Sequence, residues 1–203
     1  MKIICIGRNY SEHAKELNNP VPKNPIFFMK PDSALVVNNN PVYYPEHSND
    51  VHYEVEVVIR MSKKGKHIGE EFAHKYYEEI GIGIDFTARD VQNECKKKGL
   101  PWEIAKAFDQ SAPIGKLINK NTIDDIANLN FSLIINGVEK QNGNTRDMIF
   151  SVDQIIAYIS KFITLKEGDL IFTGTPAGVG PITIGDHFEA FIEGNKLLDF
   201  VIK

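Results

Sequence analysis

Residues 52–60 read His52-Tyr53-Glu54-Val55-Glu56-Val57-Val58-Ile59-Arg60. β-Branched side chains fill the second half of this run and favour an extended backbone, on which successive side chains point to opposite faces. Glu54 and Glu56 therefore share one side of a strand, with the valines turned toward a core. Two carboxylates so placed put four oxygens on one face. A third acid from a neighbouring strand end would complete an oxygen-rich site of the kind that suits Mg2+, Mn2+ or Ca2+. Spacing alone favours the plainer alternative of a solvated strand face, because charged side chains mostly stay outside.

Downstream of this strand, a polar turn near Gly65 leads to a helix expected near residues 70–79 and then a buried strand over 80–86. Asp85 lies near that strand's end, and a helix is expected from about residue 88 to 98. Upstream, residues 3–6 read as a strand, and Asn9 or Ser11 can cap a short helix through Leu17. Brief extended runs follow at 26–29, 35–37 and 42–44, separated by Pro and Asn clusters that make turns. Toward the C-terminus, Asn136-Gly137 flanked by runs at 130–135 and 138–141 is a hairpin signal. Residues 151–162 have helical spacing behind a Ser151 cap. Strands are expected at 170–172, 187–192 and 196–202, the last two joined across Glu193-Gly194-Asn195. Short strands with a few helices exclude a regular βαβ alternation and predict a strand-rich α+β fold in one domain spanning 1–203.

Composition narrows the function. With 42% hydrophobic and 25% charged residues the chain is an ordinary globular one. A net charge of -4 and a pI near 5.9 argue against nucleic-acid partners, since Lys96 to Lys98 is the one basic run of note. No stretch approaches the roughly 18 apolar residues of a membrane-spanning helix. Cys5 and Cys95 have no CxxC spacing, so reduced thiols in a cytoplasmic setting fit best.

Other residues carry possible chemistry. His13 and Glu16, at i and i+3, share a helix face on which the carboxylate can orient the imidazole as a general base, although a surface pair is the commoner arrangement. Thr173-Gly174-Thr175-Pro176-Ala177-Gly178-Val179-Gly180 can present backbone N–H groups to an anion, but no P-loop lysine follows. Lys106 and Arg89 are cations that could pair with a substrate carboxylate. Trp102 reads as core or pocket wall, and His52 as a residue behind the site.

The order of these segments resembles the fumarylacetoacetate hydrolase family. The resemblance rests on Gly7-Arg8-Asn9-Tyr10 with His13 and Glu16, Phe28-Met29-Lys30-Pro31, the 52–56 run, Asp85-Phe86-Thr87-Ala88-Arg89-Asp90-Val91-Gln92 and the 173–180 loop. The run from Lys96 to Trp102, followed by Ala105-Lys106, is similar to the acylpyruvase and oxaloacetate decarboxylase branch. Met29 and Asn93 depart from the usual Leu and Asp.

The resemblance implies a mixed β-sandwich roll, usually a homodimer, with Mg2+ or Mn2+ on Glu54, Glu56 and Asp85. It implies that residues 9–20 form a lid helix and that His13, Glu16 and Lys106 are catalytic. Arg8, Lys30, Arg89, Gln92 and Thr175 would line the substrate pocket. A small 2-oxo acid is the implied substrate, chelating the metal, which then stabilises developing enolate charge. The implied reactions are hydrolysis of acylpyruvates and decarboxylation or tautomerisation of oxaloacetate. A 2-hydroxyhepta-2,4-diene-1,7-dioate isomerase, decarboxylase or hydratase is the alternative within the family, and a catalytically silent metal and oxo-acid binder the alternative outside enzymes.

Overall fold

The computed structural model describes residues 1–12 and 21–203. In chain order the strands are β1 (Ile3–Gly7), β2 (Ile26–Lys30), β3 (Leu35–Val36), β4 (Val51–Tyr53), β5 (Val55–Met61), β6 (Tyr77–Ile84), β7 (Thr87–Ala88) and β8 (Ala112–Pro113). After them come β9 (Ile118–Asn119), β10 (Asn130–Ile135), β11 (Val138–Asn144), β12 (Leu170–Phe172), β13 (Gly180–Pro181), β14 (His187–Ile192) and β15 (Asn195–Val201). The α-helices used below are α1 (Glu70–Ala73), α2 (Arg89–Lys98), α3 (Glu103–Lys106) and α4 (Val152–Ser160).

The expected strand-rich α+β fold is what the chain forms. Six strands in the order β2-β1-β12-β5-β6-β9 make the main sheet, in which β1 runs parallel to β12 and the remaining pairs are antiparallel. A second, antiparallel sheet has the order β11-β10-β14-β15, and two small sheets, β13-β4-β7 and β3-β8, flank them. Phe188 stacks on Phe200 at 5.0 Å and meets Phe86 edge-on at 5.8 Å, in a core cluster that reaches from Ile4 to Ile202. Aromatic pairs of this geometry add about 0.5–1.5 kcal/mol beyond the area they bury.

The 52–60 stretch is more buried than its alternation suggests. Apart from Arg60, every residue of β5 is buried, so its two faces both pack inside the protein. Glu54 falls at the break between β4 and β5, and its carbonyl accepts the Asp85 N–H at 2.8 Å. Because Val55 pairs with Ile84, that bond places Asp85 beside Glu54 across the β5–β6 ladder. Strand register thus delivers the third acid.

Local signals worked where the chain closes on itself. Asn136 and Gly137 both have positive φ, 52° and 76°, as a two-residue primed hairpin turn demands. Ser151 and Gln154 form a reciprocal capping box on α4. The expected helix over 70–79 is cut to α1, because Tyr77 onward pairs with β5 and a buried ladder outweighs helix propensity. Residues 42–44 contribute an isolated bridge from Val42 to Ile202 rather than a strand. Asn195 begins β15, leaving Glu193 and Gly194 as the turn.

Candidate metal centre

Glu54, Glu56 and Asp85 each offer a carboxylate oxygen, and these atoms lie within 4.8 Å of one another. Their side chains are not at a solvated face: the residues are 6%, 1% and 1% exposed. Burying three negative charges together is costly unless cations and donors meet them. Lys106 Nζ sits 2.8 Å from both Glu54 Oε2 and Asp85 Oδ2. Arg89 Nη2 donates to Glu54 Oε1 at 2.6 Å, and Lys30 Nζ forms an ion pair with Asp85 Oδ1 at 2.7 Å. The Gly174 N–H donates to Glu56 Oε2 at 2.7 Å.

These partners do not balance evenly. The Lys30 ammonium directs its hydrogen bonds at the carbonyls of Phe86 and Ser111, so Asp85 Oδ1 receives charge from it but no hydrogen bond. Glu56 is served by a backbone N–H. Burial, then Asp85 and Glu54, push its carboxyl well above the usual carboxylate range, against the Gly174 hydrogen bond and Lys106. Burial alone would lower Lys106, but Asp85 and Glu54 outweigh it and raise the ammonium above its ordinary value. Glu54 and Asp85 share Lys106 and have Arg89 and Lys30 besides, so the remaining demand for positive charge falls on Glu56. An oxygen-only donor set with that demand fits a hard divalent cation.

A small cavity of about 40 Å3 opens on the three acids, with Arg8, Arg89, Gln92, Lys96, Lys106 and Thr175 on its walls. Larger clefts of about 650 and 670 Å3 lie around residues 118–128, away from the buried acids, and the charge chemistry rather than size marks the site. Gln92 accepts from Arg89 Nη1 at 2.9 Å, while Arg89 Nε is a buried donor with no acceptor among the described residues. Lys30 does not line the cavity and serves to hold Asp85. Thr175 Oγ1 accepts from Gln141 Nε2 at 2.9 Å, and Gln141 Oε1 accepts the Val55 N–H at 2.9 Å. This clamp joins the 173–180 loop to β5. That loop aims the Gly174 N–H at the Glu56 carboxylate.

His13 and Glu16 lie outside the described residues, as does most of the 9–20 segment. Asn9 and Tyr10, at its front, are buried: Asn9 Nδ2 donates to the carbonyls of Thr173 and Phe150, and its Oδ1 accepts from Phe150 N. His52 bonds Asp50 at 2.9 Å; burial and Arg89 lower its pKa. Among residues to which the sequence reading assigns no site role, Gln141 and Asn9 position the loops, and Lys96 reaches the cavity. The helical spacing of Arg89, Gln92 and Lys96 was the signal available for the last.

Fold and site together define a strand-rich α+β protein with three buried carboxylates able to hold a metal ion. Residues 2–200 match the family model described as Fumarylacetoacetate (FAA) hydrolase C-terminal, and the chain belongs to this family of enzymes. It is 46% identical over 201 residues to oxaloacetate tautomerase FAHD1, mitochondrial, of Mus musculus, covering 99% of this chain and 91% of that relative. The oxaloacetate decarboxylase, mitochondrial, of Dictyostelium discoideum is 44% identical over 194 residues, 95% of this chain and 89% of its own length. The crystal structure of fumarylpyruvate hydrolase from Pseudomonas aeruginosa, in complex with Mn2+ and pyruvate, superposes with a TM-score of 0.94 at 36% identity. It covers all of this chain and 89% of that one.

Proposed function

We propose that the chain is a divalent-metal enzyme acting on small 2-oxo acids, by hydrolysing acylpyruvates and by decarboxylating or tautomerising oxaloacetate. The observation that carries this reading is the meeting of Glu54, Glu56 and Asp85 within 4.8 Å, beside Lys106 and Arg89 in one cavity. Mg2+ or Mn2+ bound there would supply Lewis-acid polarisation of adjacent carboxylate and keto oxygens. Arg89, with a buried N–H unmet among the described residues, would hold the substrate's carboxylate, and Gln92 would orient Arg89. Lys106 keeps its proton under the field of two acids and would stabilise negative charge as a C–C bond breaks. His13 and Glu16 would activate the water needed for hydrolysis, a step that decarboxylation and proton transfer within oxaloacetate do without.

The relatives' activities and the Mn2+ and pyruvate of the Pseudomonas structure support the same chemistry. The working form we propose is a single catalytic domain, homodimeric, in a reducing compartment such as the cytoplasm. Support for the compartment comes from two buried free thiols, and among the described residues no helix is long and apolar enough to cross a membrane. The test is turnover of acetylpyruvate, fumarylpyruvate and oxaloacetate with Mg2+, Mn2+ or chelator. Metal-dependent loss of at least one substrate is expected. Background rates for all three, with metal bound, would leave a silent binder.

A further inference from the structure

Lys106 stands on a short base. α3 is a single turn of four residues, and among the described residues no side chain caps its start at Trp102. Inside the turn the N–H groups of Ala105 and Lys106 share the Trp102 carbonyl, and the Ala107 N–H reaches the Glu103 carbonyl. One turn does not hold itself in water, because the entropy of ordering it outweighs its few hydrogen bonds. The position of Lys106 must come from outside.

Among the described residues, two hydrogen bonds reach the carbonyls of this turn from distant parts of the chain. His47 Nε2 donates to the Ile104 carbonyl at 3.2 Å, near the surface. Ser111 Oγ donates to the Lys106 carbonyl at 2.9 Å in the interior, where Ser111 is fully buried. Ser111 holds the opposite side of the site as well. Its carbonyl accepts from Lys30 Nζ at 2.7 Å and from the Phe86 N–H at 2.9 Å. Phe86 follows Asp85, whose two oxygens meet Lys30 and Lys106 at 2.7 and 2.8 Å. A single residue thus ties the backbone under Lys106 to the chain at Asp85 and to the second lysine on that acid.

We infer that Ser111 is a positioning residue of the active site: its hydroxyl sets Lys106 against Glu54 and Asp85, and the rate depends on that bond although Ser111 lies outside the acid cavity. The inference rests on the part given to Lys106 in the function proposed above. Lys106 acts on charge that develops during the reaction, so a shift in its place costs turnover rather than substrate affinity. The three carboxylates are placed by strand register, and metal binding is spared.

Ser160 supplies a matched control. It too is fully buried, its Oγ accepting the Ile68 N–H at 2.9 Å and donating to the Ala157 carbonyl at 3.0 Å, and it lies outside the acid cavity. Ser111→Ala keeps the carbonyl contacts of residue 111 and removes the hydroxyl alone. With Mn2+ it should lower kcat for oxaloacetate decarboxylation or acetylpyruvate hydrolysis at least about tenfold, while KM and the calorimetric Mn2+ affinity stay within about twofold. Ser160→Ala should lose at least as much stability in urea and keep its kcat. Unchanged kcat in Ser111→Ala, losses of substrate and Mn2+ affinity in step with kcat, or an equal fall of kcat in Ser160→Ala would each overturn the positioning role and leave the 2-oxo acid reading standing. If the unaltered protein, with Mn2+ bound, turns over neither substrate, the 2-oxo acid reading itself fails and takes this role with it.

Discussion

Among the described residues, two places bring three possible metal ligands within 4.8 Å: Glu54, Glu56 and Asp85 inside, and His187, Glu189 and Asp199 on the β14–β15 hairpin. Distance does not separate them. On the hairpin, Lys196 bonds Glu189 and Asp199 at 3.0 and 2.6 Å, His187 bonds Asp199 at 2.7 Å, and all three groups are only half-buried. Inside, the acids are buried, and Glu56 meets a backbone N–H where Glu54 and Asp85 meet cations. The lesson is that burial, by making charge expensive to leave unmatched, turns an ordinary acidic cluster into a site that demands a cation.

The strongest way to break the comparison is to remove an inner ligand. Glu56→Ala or Asp85→Ala should weaken Mn2+ binding at least about 100-fold by calorimetry and take turnover to background, whereas His187→Ala should leave both unchanged. Equal effects would erase the distinction. Next, Lys106→Met strands buried carboxylate charge, and urea unfolding of the metal-free protein should show a loss of about 3–5 kcal/mol, with Mn2+ restoring part of it. Gly174→Ala is a smaller insult: at φ 107° its new Cβ would lie 2.6 Å from Asn9 Cβ and disturb the N–H that serves Glu56. A cost of about 1–3 kcal/mol is expected, with weaker Mn2+ binding.

Titration should go in opposite directions at the two places. Glu56 has a raised carboxyl pKa, so between the unfolded and folded values the native metal-free protein holds a proton that the unfolded chain has lost. Its contribution to stability therefore falls as pH rises through that window, while Mn2+ binding, which needs the carboxylate, strengthens. Melting curves in chelator from pH 5 to 8, compared with curves in Mn2+, read both. Asp199 is the reverse: hydrogen bonds from Lys196 and His187 lower its pKa, so its contribution is present above the ordinary aspartate range and is lost as pH falls through the folded value. Being exposed, it is worth less than about 1 kcal/mol, and Asp199→Asn should barely move the urea midpoint.

How much of this was legible depends on the range of each interaction. Asn136-Gly137 and Ser151 with Gln154 specify their turn and cap within four residues, so sequence sufficed. The Glu54–Glu56 spacing was legible as one face of a strand, but not its burial, which comes from the partners β12 and β6 on either side. Tyr77 to Glu79 read as helix because no local signal announces pairing with Arg60 and Met61. Family motifs brought Lys106, Arg89, Gln92 and Thr175 to the acids' cavity, whereas Lys30 takes a place behind Asp85 that only the fold reveals. Lys96 was visible as the i+7 partner of Arg89, yet the basic run around it masks which lysine faces in.

The parallel pairing of β1 with β12 sets a timetable. Ile3 lies beside Leu170, and β12 then separates β1 from β5. At ~5–20 residues per second, the ribosome delivers the second of these partners roughly ten to thirty seconds after the first. Until then the main sheet lacks its middle strand, and the edges of β1 and β5 face water with their backbone groups unpaired. A nascent chain stalled before residue 170 should therefore hold no native metal centre and should be a client for chaperones that shield strand edges, whatever the stability of the finished protein.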